Sequence, residues 1–312
     1  MNTRTSTNNN DSSGTQDQVE TGATGQVIVA AIQMVSGPCV QDNLEQARTL
    51  VEQAVHQGAQ MVALPEYFCL LGPDETAKVK VAEPEGQGPI QFFMSDLARR
   101  LGVWVCAGTL PLQSPDPAKV YNTSLMFAPD GASVARYDKI HLFRYTSDTE
   151  QFDEGRTILA GTQSVVATCR FGVADRERIG TPDVESASGT TIRVGMSVCY
   201  DLRFPEMYRK MGEVDLILVP SAFTYTTGQA HWETLLKARA IENQCYVLAP
   251  AQGGTHPHGR RTWGHSMLID PWGEIIGELP QGPGVIMGQL SLERLRAVRQ
   301  SLPALCNRVF QI

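Results

Sequence analysis

Apolar residues recur along this chain in two rhythms. Short continuous or alternating runs predict strands, and longer stretches repeating every three to four residues predict helices. Gln26–Val35 is the first strand-like run. In Asp42–Gln57, Leu44, Ala47, Leu50, Val51, Ala54 and Val55 share one helical face, with Asp42 placed to cap the start and Gly58 to stop the end. Gln60–Leu64 predicts a strand, Pro89–Leu101 an amphipathic helix and Val103–Thr109 another strand. Tyr121–Lys139 predicts a hairpin about the Pro129-Asp130-Gly131 turn. Ser164–Arg170 and Thr191–Val198 predict strands on either side of Ala174–Gly189, a polar segment that reads as a surface loop insertion.

The second half continues in the same manner. Phe204–Met211 predicts a helix, Asp215–Val219 a buried strand, and His231–Glu242 a helix with Trp232, Leu235, Leu236 and Ile241 on its apolar side. Cys245–Ala249, Ser266–Asp270, Glu274–Gly277 and Val285–Gln289 predict short strands, with a turn at Pro271-Trp272-Gly273 and a last helix at Leu292–Gln300. Strands and helices mix, joined by hairpins as well as crossovers, so the pattern predicts a layered α/β fold.

The chain has 312 residues, 42% of them hydrophobic, enough for a large core. No interior linker interrupts it, so one domain over residues 26–312 is expected. The first 25 residues are rich in Asn, Thr, Ser, Gly and Gln and read as a disordered arm. They contain no apolar stretch of the secretory kind, and a transit peptide would be richer in Arg, so a cytoplasmic protein is expected. A formal net charge of −7 speaks against a nucleic-acid or anionic-membrane binder. No apolar run approaches the ~20 residues of a membrane span. The seven cysteines are scattered without CxxC spacing, which fits free thiols in a reducing compartment.

Three residues carry candidate chemistry. Cys199 stands in GMSVCYDLRFPE, where an apolar run gives way to a helix-like segment. A strand fixes a nucleophile's backbone, the turn after it exposes the side chain, and the N–H of Tyr200 can donate to a reacting carbonyl oxygen. Glu66 closes MVALPE and Lys139 closes VARYDK. A thiol, a carboxylate and an ammonium, each just past an apolar run, suit acyl transfer. Singly, such a Cys is usually an inert hydrophobe and such charges are solvated. The context argues otherwise: Lys139 lies within YDKIHLF, and Glu66 lies between Pro65 and the aromatics Tyr67 and Phe68. His256, His258 and His265 lack the spacing of a metal-binding pair, and no GxxxxGK[ST] phosphate loop is present.

LPEYF, YDKIHLF and CYDLRFPE resemble, in order, the three signature segments of the carbon–nitrogen hydrolase (nitrilase) superfamily. The resemblance runs from about Val27 to the C-terminus. It implies a four-layer αββα sandwich, a homodimer or higher homo-oligomer that extends the layers, and no metal or other cofactor. It also implies that Glu66, Lys139 and Cys199 form the catalytic set. A second glutamate is expected to orient the lysine; Glu154 in FDEGRTILAG matches that element, with Glu150 as the near competitor.

PSAFTYTTGQAHWETLLKARAIENQCYVLAPAQGG and GHSMLIDPWG are similar to the Nit subgroup of amidases, and closer to its deaminated-glutathione amidase type than to its ω-amidase type. The implied reaction is hydrolysis of a small ω-amide through a Cys199 thioester. Glu66 serves as base, acid and base again, while Lys139 and the Tyr200 N–H steady the oxyanion. The implied substrate is deaminated glutathione, giving α-ketoglutarate and cysteinylglycine; α-ketoglutaramate and N-carbamoyl acids are the alternatives. A nitrilase proper would carry Trp-Glu where Tyr200-Asp201 follow the cysteine. A non-catalytic interaction module is opposed by the presence of all three reactive residues. Tyr67, Arg203, Phe223, Thr226 and Thr227 are expected to line the substrate pocket. Arg203 suits a bidentate carboxylate, or else an ion pair with Glu206 or Asp201. Arg260 and Arg261, in THPHGRR, offer charge to an acidic substrate or form a solvated turn.

Overall fold

A computed structural model describes residue 1 and residues 25–148, 151–172 and 189–310. Apart from Met1, Gly25 and Gly189, the N-terminal arm and the Ala174–Gly189 insertion lie outside the described residues, as does Glu150.

The first half forms β1 (Gln26–Gln33), α1 (Val40–His56), β2 (Met61–Ala63), α2 (Ala77–Lys80), α3 (Pro89–Leu101) and β3 (Trp104–Cys106). Then come β4 (Leu110–Gln113), β5 (Val120–Phe127), β6 (Ser133–Asp138) and a small hairpin of β7 (Arg144–Thr146) with β8 (Gln151–Asp153). The second half runs β9 (Val165–Phe171), β10 (Thr190–Met196), α4 (Pro205–Lys210), β11 (Leu216–Leu218), α5 (Tyr225–Asn243) and β12 (Tyr246–Ala249). A hairpin of β13 (Gly253–Thr255) and β14 (Arg261–Trp263) precedes β15 (Ser266–Ile269), β16 (Ile275–Leu279), β17 (Gly284–Ser291) and α6 (Leu292–Ser301).

Two large sheets result. One has the order β17-β1-β2-β3-β5-β4, with β6 beside β5; the other has the order β16-β15-β12-β11-β10-β9. At the centre of each, three strands run parallel: β1, β2 and β3 in the first, β10, β11 and β12 in the second. Val29 pairs with Met61 and Met61 with Trp104; Val194 pairs with Leu216 and Leu216 with Tyr246. Parallel strands end on the same edge, and the loops leaving that edge carry the groups described below.

Side-chain alternation assigns the layers. Val27, Val29 and Ala31 of β1 share a core with Val194, Met196, Leu216 and Leu218 of the other sheet. Their neighbours Ala30 and Ile32 point the opposite way, onto Leu44, Ala47 and Val51 of α1 and Met94 and Leu97 of α3. Across the second sheet, Trp232, Leu236 and Ala240 of α5 close the core. The architecture is therefore an αββα sandwich of four layers. It explains why the central strands read as continuous apolar runs: both of their faces are buried. No helix among the described residues is long and apolar enough to cross a membrane.

Several local readings need correction. Asp42 does not cap α1; Cys39 holds that position, and Asp42 lies in the first turn, where its charge favours the helix N-terminus. Helix α5 begins at Tyr225, because the Thr224 hydroxyl caps it by accepting the Thr227 N–H at 3.4 Å. Ile241 is exposed, since the buried stripe of α5 runs through Trp232, Leu236 and Ala240 at four-residue steps. The pattern also missed α2, β4 and the β7–β8 and β13–β14 hairpins, short elements defined more by their partners than by their own periodicity.

Gly108 ends the run that read as one strand from Val103 to Thr109. Its φ is +41°, and a Cβ there would meet the carbonyl oxygens of Pro65 at 2.0 Å and Leu64 at 2.7 Å. Both are backbone atoms of the segment leading to Glu66, so neither can rotate away. Gly108→Ala should therefore destabilise the protein by about 2–4 kcal/mol, combining overpacking with backbone strain. Urea unfolding checks this; a loss below about 1 kcal/mol would show that the Leu64–Pro65 segment yields.

Candidate active site

Four of the expected residues converge at one edge of the sandwich. Glu66 lies just past β2, Lys139 follows β6, Glu154 opens a 3-10 turn after β8, and Cys199 lies just past β10. The Lys139 ammonium is fully buried and donates to Glu66 Oε1 at 2.9 Å and to Glu154 Oε1 and Oε2 at 2.9 and 2.8 Å. Each carboxylate is further held. Glu66 Oε1 accepts from Asn122 Nδ2 at 2.9 Å, and Oε2 from the Ala222 N–H at 3.0 Å. Glu154 Oε1 accepts from the Tyr67 hydroxyl, and Oε2 from the Phe143 N–H, both at 2.7 Å. Ions this deep persist only when paired and fully hydrogen-bonded, and these are. Of the two glutamates weighed for the second carboxylate, Glu154 touches Lys139, and Glu150 lies outside the described residues.

The backbone at the two strand ends is strained in the same way. Tyr67 and Cys199 have φ of 57° and 51°, a left-handed conformation that non-glycine residues adopt at a cost of about 1–3 kcal/mol. Neighbours hold each in place. Thr109 Oγ1 accepts the Tyr67 N–H at 2.8 Å, and the Pro220 carbonyl accepts the Cys199 N–H at 2.9 Å. Gln252 donates to the Glu66 carbonyl at 3.1 Å. Tyr200 is the second residue of the 3-10 turn starting at Cys199, where an N–H has no partner within the turn.

Electrostatics follow from burial and charge together. Burial pushes the Cys199 thiol well above its usual range, and the neighbouring Glu66 carboxylate pushes it further; Lys139 only partly offsets this. Burial disfavours the Lys139 ammonium, but the Glu154 and Glu66 carboxylates outweigh it and hold its pKa well above the ordinary lysine value. Burial likewise opposes ionisation of Glu154, yet Lys139 keeps its pKa below normal. The resting site thus holds a neutral thiol beside a charged Lys139–Glu154 pair.

Asp201 was weighed in the sequence only as an ion-pair partner of Arg203, and here the structure differs. Its buried carboxylate accepts from the Val198 N–H at 2.8 Å, the Tyr137 hydroxyl at 2.6 Å and the His141 N–H at 3.1 Å, and lies 2.7 Å from His141 Nδ1. It ties the Cys199 turn to the segment carrying Lys139. Arg203 pairs with neither Asp201 nor Glu206. It lies over the rings of Phe223 and Tyr200, at 5.5 and 5.8 Å, with Nη1 3.2 Å from His231 Nδ1. Asn122 also escaped notice. The only signal was the polar trio Asn122, Thr123 and Ser124 inside a strand that is otherwise apolar, and all three are buried.

A narrow pocket of about 20 Å³, room for one water-sized group, opens on Cys199 and is lined by Glu66, Tyr200, Arg203, Phe223 and Thr227 among others. A cleft of about 640 Å³ adjoins it, lined by residues that include Tyr67, Lys78, Tyr225, Thr226 and Arg261. Arg260 lines both. Of the expected pocket residues, the structure thus brings Arg203, Phe223 and Thr227 to the thiol. It sets Thr226 and the Tyr67 ring on the cleft. His256 is buried between the Ser36 carbonyl and Thr262 Oγ1, at 2.8 Å from each, and His265 stacks on Trp263. Among the described residues no three His, Cys, Asp or Glu side chains gather as metal ligands do.

Residues 28–300 match the family model for carbon-nitrogen hydrolases. A deaminated glutathione amidase of Synechocystis sp. is 40% identical over 289 residues, covering 91% of this chain and 98% of that protein. The crystal structure of Saccharomyces cerevisiae Nit3, a member of branch 10 of the nitrilase superfamily, superposes with a TM-score of 0.74 at 29% identity, covering 91% of this chain and 97% of the other. A point mutant of the amidase from Nesterenkonia sp. AN1, solved with acrylamide added at its active-site cysteine, superposes with a TM-score of 0.67 at 25% identity, covering 89% of this chain and 98% of the other.

Proposed function

This chain belongs to the carbon–nitrogen hydrolase family and hydrolyses linear amides, and on that premise we propose that it works through a thioester on Cys199, with Glu66, Lys139 and Glu154 as the other catalytic groups. The observation that carries the reading is the buried Lys139 ammonium bridging Glu66 and Glu154 beside the Cys199 thiol.

A neutral thiol is a weak nucleophile, so its proton must leave as it attacks. Glu66 takes that proton. The transfer moves one negative charge from Glu66 to the sulfur and then to the carbonyl oxygen, so no charge is added to the buried site. Lys139 and the Tyr200 N–H stabilise the oxyanion. Glu66 returns the proton to the nitrogen as the C–N bond breaks, which releases the amine and leaves the acyl thioester. It then takes a proton from water attacking that thioester, and hands it back to the sulfur as the acid departs. Glu154 orients Lys139 and maintains its charge.

The substrate in this reading is deaminated glutathione, cleaved to α-ketoglutarate and cysteinylglycine. Similarity to deaminated glutathione amidases supports it, as does Arg203, a cation on the Cys199 pocket whose guanidinium meets His231 and two aromatic rings and no carboxylate among the described residues. Arg203 binds the carboxylate of the acyl half, and Phe223, Thr226, Thr227 and Tyr67 shape the walls around it. The pocket is narrow enough that lining side chains, Arg203 among them, must move on entry. The test is a panel of deaminated glutathione, α-ketoglutaramate, an N-carbamoyl acid and a nitrile, read as kcat/KM. Deaminated glutathione is expected to lead by at least about tenfold. Equal or better turnover of α-ketoglutaramate assigns the site as an ω-amidase instead. The seven free cysteines support a reducing, cytoplasmic setting, and the family resemblance supports a homodimer, which light scattering checks.

Asp201 acts here through its neighbours. In Asp201→Asn an amide N–H₂ must face donors that now meet a carboxylate, which loosens both the Cys199 turn and the Lys139 segment. Turnover should fall about 10- to 100-fold with KM nearly unchanged, because positioning is lost rather than binding. Tyr137→Phe, removing one of the same hydrogen bonds, should do less. A rise confined to KM would reassign Asp201 to substrate binding.

A further inference from the structure

Resting on the thioester reading above, we propose that the 640 Å³ cleft receives the departing amine, and that Arg260 binds a carboxylate carried by it. Release of ammonia alone needs no cleft of this size; 640 Å³ falls in the range of pockets that hold whole small molecules. Arg260 is common to the Cys199 pocket and the cleft, so a ligand reaching from the thiol into the cleft passes its guanidinium.

The electrostatic state of Arg260 sets it apart from the other charges there. Its Nε is buried and has no hydrogen-bond partner among the described residues. An orphaned buried donor costs about 1–3 kcal/mol, and a carboxylate accepting from Nε and an adjacent Nη would remove that cost in the fork geometry guanidinium favours. Lys78 is engaged by Glu75. Asp74 accepts from the hydroxyl and N–H of Thr76 and from the Ala77 N–H. Arg261 is exposed and lies over the Tyr225 ring at 3.9 Å, where a carboxylate gains little against water.

Arg260 is also held ready. Its carbonyl accepts the His256 N–H at 2.8 Å in the turn between β13 and β14, and its guanidinium lies 5.4 Å from the Phe152 ring centre. Buried His256 anchors that turn to the Ser36 carbonyl and Thr262. The donor is thus presented by a braced hairpin, which lowers the entropy lost on binding.

The test measures binding of a leaving group by itself, so it does not depend on turnover. Cysteinylglycine and its C-terminal amide are titrated calorimetrically, under reducing conditions, into the full-length wild type and into Arg260→Ala. The free acid should bind the wild type at least tenfold more tightly than the amide, and Arg260→Ala should erase that preference. Arg260→Lys keeps the charge without the fork and should retain only part of it; it also serves if the alanine variant unfolds. Equal affinity for acid and amide in the wild type, no acid binding below millimolar concentration, or a preference that survives in folded Arg260→Ala would overturn the proposal. Failure of the thioester reading would show differently, as the absence of an acyl adduct on Cys199.

Discussion

Cys199→Ala should leave a folded protein whose turnover is lower by about five orders of magnitude or more, the scale seen when a catalytic unit loses its nucleophile. Without the sulfur no thioester can form, and Glu66 has no proton to take. The change removes one buried atom, so the melting temperature should move by only a few degrees. Substantial activity in the folded variant would reject Cys199 as nucleophile. A positive test complements the loss: with a slow amide substrate, intact-mass spectrometry of the wild type should find one acyl group, mapped to Cys199. A raised pKa is common to the buried thiols, Cys199 included; what the others lack is a place in the pocket beside Glu66. Burial pushes Cys106 up to about 11 and Cys169 to about 12, and raises Cys69 and Cys245 further still. Cys39 and Cys306 are exposed but lie outside the pocket.

Glu66→Gln should move two properties of the site in opposite directions. Turnover should fall by about 10³, within the range lost with a general acid–base group. The thiol should become easier to ionise, because Glu66 is, after burial, the largest cause of its raised pKa and Lys139 remains in place. Alkylation of Cys199 by iodoacetamide, followed by mass spectrometry with Cys39 and Cys306 replaced by Ser, should shift to lower pH. A merely structural lesion would not separate faster alkylation from slower catalysis. An unchanged or upward-shifted alkylation profile would show that Glu66 does not face the thiol, and a loss confined to KM would make it a binding residue.

The residues proposed as reactive stood out in the sequence because each interrupts a local pattern. Lys139 is a charge between apolar neighbours, Glu66 follows Pro65 at the end of a buried run, and Cys199 stands where a strand gives way to a turn. The layered α/β class was legible for the same reason: periodicity acts through neighbours a few residues apart. Glu154 was reached only through resemblance, since a glutamate after Asp153 looks like any loop charge until Lys139 is beside it.

What lay beyond the sequence depends on contacts between distant segments. Glu66 meets Asn122, Lys139 and the Ala222 N–H across 56, 73 and 156 residues, and those meetings require strand order and sheet stacking. The same applies to Arg203 and Asp201. They are close in sequence and opposite in charge, but Asp201 turns inward to donors from the Lys139 segment and leaves Arg203 on the pocket. The sequence by itself determined the residue types at the strand ends and the α/β layering, because these follow from local spacing and burial. Only the tertiary structure decided which carboxylate neutralises the ammonium, and which guanidinium keeps a donor free. A buried charge takes its pKa and its partners from whatever the fold packs against it, and those groups come from other elements of the chain.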